Sequence, residues 1–159
     1  TPTTPLPEGA LKVAAYNGTT APASNTLNPQ IRLTNTGSEP MELADVTLRY
    51  YYTANGEQTQ QIFFDWSTVG AANLKGAFKK VSQPSVTADT YAEIGFGAGA
   101  GTLPAGQSLD IQVRIVKNDW SNYNQADDYS FHPSATAYME RPEIPVYVAG
   151  KLLWGREPK

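Results

Sequence analysis

The chain has 159 residues, about one domain's worth and enough to bury one sizeable core. Twelve Lys and Arg against fifteen Asp and Glu leave a net charge of −3, which argues against a broad basic nucleic-acid surface and against a polybasic membrane anchor. There is no cysteine and one histidine, His132, so disulfides, thiolate chemistry and histidine-rich metal sites are not expected. No apolar run approaches the ~18 residues of a membrane-spanning helix, and no signal-peptide pattern opens the sequence.

Residues 1–9, TPTTPLPEG, combine threonine and proline without apolar periodicity. They read as a stiff, extended linker remnant of a larger modular chain, leaving 10–159 as the folded module. Strand signals then recur at 11–16, 31–34, 46–53, 61–65, 76–81, 91–96 and 109–117, each rich in β-branched and aromatic residues. Two more, Val146–Val148 and Lys151–Trp154, flank Ala149-Gly150, a two-residue hairpin turn. Turn clusters at 35–37, 54–56, 97–101 and 104–106 separate them. No amphipathic helix longer than two turns and no internal repeat is visible. Eight or nine short strands predict an all-β antiparallel sandwich of jelly-roll type.

The stretch 109–117 carries directional information. Leu109, Ile111, Val113 and Ile115 share one face; Asp110, Gln112 and Arg114 share the other. The apolar set belongs in the core. Gln112 and Arg114 are then expected on an outer face, roughly 6.7 Å apart along the strand. Trp120 follows directly, between Asp119 and Ser121, an odd place for a core tryptophan.

The run Lys117-Asn-Asp-Trp-Ser-Asn-Tyr-Asn-Gln-Ala-Asp-Asp-Tyr-Ser-Phe131 resembles a signature of family 3 carbohydrate-binding modules, the cellulose-binding modules of bacterial cellulases and cellulosome scaffolds. Arg49-Tyr-Tyr-Tyr-Thr53, Ile31-Arg-Leu-Thr-Asn-Thr-Gly37 and Leu152-Leu-Trp-Gly-Arg-Glu-Pro158 match further parts of that pattern, so the resemblance covers about 11–158. It implies a nine-stranded antiparallel jelly-roll β-sandwich, a structural calcium and a flat face for crystalline cellulose. It also implies a secreted, extracellular bacterial protein in which catalytic or scaffold modules are covalently linked.

The resemblance places a planar strip on Asp65, Trp66, Arg114 and Trp120, with Asp65 pairing with Arg114. Trp66 stands where a histidine is frequent, and the family's loop tyrosine is absent from 66–75. A straight strand sends Asp65 and Trp66 to opposite faces, so the strip requires a turn or bulge there. Trp66 capping the core beside Phe63 and Phe64, and Trp120 half-buried in the sandwich, are the plainer readings of those rings. A second, anchoring set falls on Asn25, Gln112 and Ser134, with the serine displaced and Thr19 in place of an asparagine.

Asn122, Asn124, Asp127 and Asp128 make an oxygen-rich loop of a kind that suits calcium. The family pattern implies ligands at Thr53, Asn55, Asn124, Asp127 and Asp128, with Asn55 where an aspartate is frequent. Arg49, Tyr51, Tyr91 and Glu93 match a shallow groove on the opposite sheet, which is open to linker peptides or soluble chains, or is plain solvated surface. Glu93, Glu140, Glu143, Asp65 and Asp119 are carboxylates of the type a glycosidase pairs, but no pattern puts two in a cleft. Gly-x-Ser-x-Gly, phosphate-loop and His-Glu-x-x-His sequences are absent. A non-catalytic cellulose-binding module is therefore the leading expectation. The alternatives are a family member that guides single cellulose chains into a catalytic domain, or a module that binds a linker or protein through the opposite groove.

Overall fold

A computed structural model describes residues 11–18, 21–53, 59–81, 84, 88–125, 128–131, 138–140, 143–148 and 151–155. The linker reading of 1–9 lies outside them. In chain order the strands are β1 (Leu11–Asn17), β2 (Ala23–Ser24), β3 (Thr26–Leu27), β4 (Pro29–Asn35), β5 (Met41–Glu42), β6 (Val46–Tyr52), β7 (Gln60–Ser67) and β8 (Leu74–Lys80). They continue with β9 (Thr90–Phe96), β10 (Thr102–Leu103), β11 (Ser108–Lys117), β12 (Tyr123–Asn124), β13 (Met139–Glu140), β14 (Val146–Val148) and β15 (Lys151–Trp154). Nine of these are three residues or longer among the described residues, and they form the expected antiparallel jelly-roll sandwich. The other six are two-residue pairings, too short to leave a periodic signal in sequence. No helix among the described residues is long and apolar enough to cross a membrane.

The first sheet runs β13-β1-β4-β11, with β3 continuing beyond β4 along one side of β11 and β7 on its other side. The second runs β15-β14-β6-β9-β8. Val148 stands opposite Lys151, which matches the predicted hairpin; its turn residues, Ala149 and Gly150, lie outside the described set. Period-2 alternation fixes each strand's inner face. Leu109, Ile111, Val113 and Ile115 of β11 are buried, with Ile31 and Leu33 of β4 and Leu11 and Val13 of β1. They meet Val46, Leu48, Tyr50 and Tyr52 of β6 and Ala92, Ile94 and Phe96 of β9 in one core.

Burying tyrosine requires a partner for its hydroxyl. The Tyr50 hydroxyl receives Asn17 Nδ2 at 3.1 Å. Tyr52 and Tyr123 both donate to Gln60 Oε1, the latter at 3.0 Å. Burial pushes both phenols well above the ordinary tyrosine range, so they remain neutral donors. At the edge where β7 and β8 close the sandwich, a Cβ on Gly76 would sit 2.5 Å from Ile62 Cγ2. Glycine there permits the two strands to approach.

Candidate functional site

The outer face of the first sheet is built around β11. Asp110, Gln112 and Arg114 point outward, as the alternation predicts, while their apolar neighbours are buried. Along β7 the register breaks: Phe64 pairs with Val113 and Trp66 with Gln112, leaving Asp65 as the extra residue of a bulge. The bulge lets Asp65 and Trp66 both be exposed, with Trp66 at 50%. Beyond it Ser67 returns inward opposite Ile111. The irregularity the strip requires is therefore present, and Trp66 does not cap the core.

Arg114 Nη2 donates to Asp65 Oδ1 at 3.2 Å. Its guanidinium carbon lies 4.9 Å from the ring centre of Phe63, its cross-strand partner. A carboxylate and an aromatic ring thus hold the guanidinium plane. Phe63, beside which Trp66 would have capped the core, is itself 38% exposed on this outer face. Two adjacent phenylalanines read alike until the register is known, so no sequence signal marks this direction.

Trp120 is 56% exposed, the largest value among the exposed large apolar side chains described. Its φ is +60°, and its N–H donates to Lys117 O at 3.0 Å, closing a tight turn. The turn is braced on both sides. Asn118 N–H donates to Thr59 O at 2.8 Å, and Gln61 Nε2 donates to Asn118 Oδ1 at 2.5 Å. Ser121 donates to Asp119 Oδ1 from Oγ at 2.7 Å and from its N–H at 3.0 Å. These bonds hold the Asp119 carboxyl below the usual range. Beneath the turn the Lys117 ammonium lies 4.7 Å from the Tyr123 ring centre and donates to Asn122 O at 3.4 Å. Trp120 is therefore displayed from a fixed loop and is no core residue.

Of the anchoring set, Gln112 is exposed and stands between Trp66 and Gln30. Asn25 is exposed in the link from β2 to β3, beside β11, where its Oδ1 accepts from Thr26 Oγ1 at 3.0 Å. Ser134 and Thr19 lie outside the described residues.

Of the calcium set, Thr53 and Asp128 are brought together. Asp128 Oδ1 accepts from Thr53 N–H at 2.9 Å and Thr53 Oγ1 at 2.8 Å, tying the end of β6 to the loop after β12. Asn124 ends β12, exposed and paired with Ala23. Asn55 and Asp127 lie outside the described residues. The donor set is hard oxygen throughout, which fits calcium chemistry. Among the described residues no three His, Cys, Asp or Glu gather.

On the opposite sheet Arg49 lies between the Tyr91 and Tyr147 rings, 4.5 and 4.1 Å from their centres, and donates to the Tyr51 hydroxyl at 3.2 Å. Glu93 faces Arg49 and pairs with Lys79 at 3.2 Å. Tyr51 and Tyr147 are 3% and 4% exposed, packed into this face, while the Arg49 and Glu93 side chains keep 25% and 21% of their surface in solvent.

A family model described as a cellulose binding domain matches residues 12–155. The chain belongs to this family of cellulose-binding domains. Like the family, the domain is a carbohydrate-binding module and not an enzyme. It is 51% identical to a xyloglucanase of Paenibacillus sp over 154 residues, covering 97% of this chain and 15% of that protein. It is 43% identical to cellulosomal-scaffolding protein A of Acetivibrio thermocellus, covering 94% of this chain and 8% of that protein. This cellulose-binding domain thus spans a small part of the curated relatives it matches. Among solved structures, the CBM3b of the major scaffoldin subunit of Acetivibrio cellulolyticus superimposes with a TM-score of 0.91 at 48% identity, covering 94% of this chain and 97% of that one.

Proposed function

We propose that the domain adsorbs to the flat face of crystalline cellulose, and that it works outside a bacterial cell as one module of a cellulase or scaffold chain. The observation that carries this reading is the β7 bulge, which puts Asp65 and Trp66 side by side on the outer sheet face with Arg114 locked against Asp65. Trp66 and Trp120 stack on pyranose rings, removing apolar area from water at about 25 cal/mol per Å². Arg114 and Asp65 extend the surface and offer hydrogen bonds to equatorial hydroxyls. Gln112 and Asn25 reach hydroxyls of adjoining chains. Many weak coplanar contacts act together, so release from the solid is slow, and tethered catalytic domains gain effective concentration at the substrate.

Guiding single chains without adsorption is the less favoured role, because both tryptophans are exposed. Calcium, held by Thr53, Asn55, Asn124, Asp127 and Asp128, serves as a structural clamp in this reading. Depletion of the protein by microcrystalline cellulose, uncompeted by a soluble cello-oligosaccharide, is the expected result. Full competition by the soluble ligand contradicts a flat-face mechanism and points to a cleft.

A further inference from the structure

The device that holds Arg114 occurs a second time on the same sheet face. Asp110, four residues before Arg114 on β11, accepts Arg32 Nε at 2.7 Å and Nη2 at 3.2 Å. The Arg32 guanidinium carbon lies 4.0 Å from the Tyr138 ring centre. Tyr138 meets Tyr16 edge to face, with ring centres 4.9 Å apart and planes at 80°. Each assembly is thus an arginine plane fixed by a carboxylate on one side and an aromatic ring on the other. The register joins them: Tyr16 pairs with Gln30, Gln30 with Gln112, and Gln112 with Trp66. Three strand spacings, roughly 14 Å, separate Tyr16 from Trp66, with Gln30 between them 9% exposed.

We propose that Tyr16, Tyr138, Arg32 and Asp110 form a second carbohydrate-contact patch, which takes a neighbouring β-glucan chain of the same cellulose surface. The proposal rests on the adsorption reading above and adds a second lane to it. Three features support a ligand over a purely structural role. The cluster lies outside the core, with the Arg32 and Asp110 side chains 40% and 27% exposed, where ion pairs stabilise a fold little. The two bonds to Asp110 use two of the guanidinium's five N–H groups. Half-buried tyrosines supply a ring and a hydroxyl together, the pair of contacts a pyranose offers at its face and edge.

The test compares depletion isotherms on microcrystalline cellulose for wild type, Tyr138→Ala, Arg32→Gln, Arg32→Lys and Trp120→Ala, each with its melting temperature. The expected result is a roughly three- to tenfold rise in Kd for Tyr138→Ala and Arg32→Gln, with melting temperatures within about 3 °C of wild type. Arg32→Lys is expected to resemble Arg32→Gln, because charge without the planar fork does not rescue the contact. Unchanged affinity in folded Arg32 and Tyr138 variants, beside lost affinity in Trp120→Ala, overturns the second patch alone. Lower melting temperatures with affinity retained show a structural cluster and also overturn it. A wild type that does not adsorb overturns the adsorption reading and the patch with it.

Discussion

Trp120 is the described non-glycine residue with positive φ, at +60°. Holding a bulky L-residue there costs about 1–2 kcal/mol, and more than half of the residue stays exposed. Such strain is expected of a residue displayed for contact. Trp120→Gly should therefore match or exceed the wild-type melting temperature, while adsorption weakens at least tenfold, about 1.4 kcal/mol. A large fall in melting temperature, measured by thermal unfolding, contradicts this assignment. The Lys117–Phe131 run made Trp120 legible, because an aromatic ring between Asp119 and Ser121 suits exposure. Phe63 was not legible. Its outward direction depends on which β11 residue it opposes, and a single residue of slip reverses a strand's faces. The Arg32–Asp110 pair was hidden for the same reason: its partners are 78 positions apart and meet only through the β4–β11 register.

At the scale of elements, the bulge in β7 is separable from the fold. With Asp65 removed, Phe64 and Trp66 can keep their partners Val113 and Gln112 in a regular ladder. The exposed pair with Arg114 is worth about 0–1 kcal/mol. Deleting Asp65 should thus leave the melting temperature within about 4 °C of wild type. Adsorption should weaken, since Arg114 loses the group that holds its plane. Circular dichroism melts beside depletion isotherms check both halves; an unfolded deletion variant contradicts the separability. Gly76 makes the opposite case. Gly76→Ala pushes a methyl group to 2.5 Å from Ile62 Cγ2, a branched side chain with little room to give. The expected cost is about 1–3 kcal/mol of stability, read as a lower melting temperature with cellulose affinity retained. The long strands were legible because alternation survives over seven to ten residues. The two-residue strands were not, because pairings of that length are set by neighbouring strands.

At the scale of the whole molecule, two sheets share one core and present two unlike outer faces. One displays Trp66, Phe63 and Arg114 to solvent; the other packs Tyr51 and Tyr147 among neighbouring rings. This asymmetry supports the proposed contact role of the first sheet. Stability in a chain without cysteine rests on the core and on ties between loops such as Thr53 to Asp128. If calcium joins that tie, chelator treatment should lower the melting temperature and added calcium should restore it, by mass action on the folded state. A melting temperature indifferent to both removes the metal from the account.

The most direct measurement is a depletion isotherm on microcrystalline cellulose for wild type beside a Trp66→Ala, Trp120→Ala double variant whose folding is confirmed by its melting curve. Saturable wild-type adsorption that the folded double variant loses is the expected result. Wild-type adsorption retained by the folded double variant would contradict it, because the binding face would then lie elsewhere on the molecule.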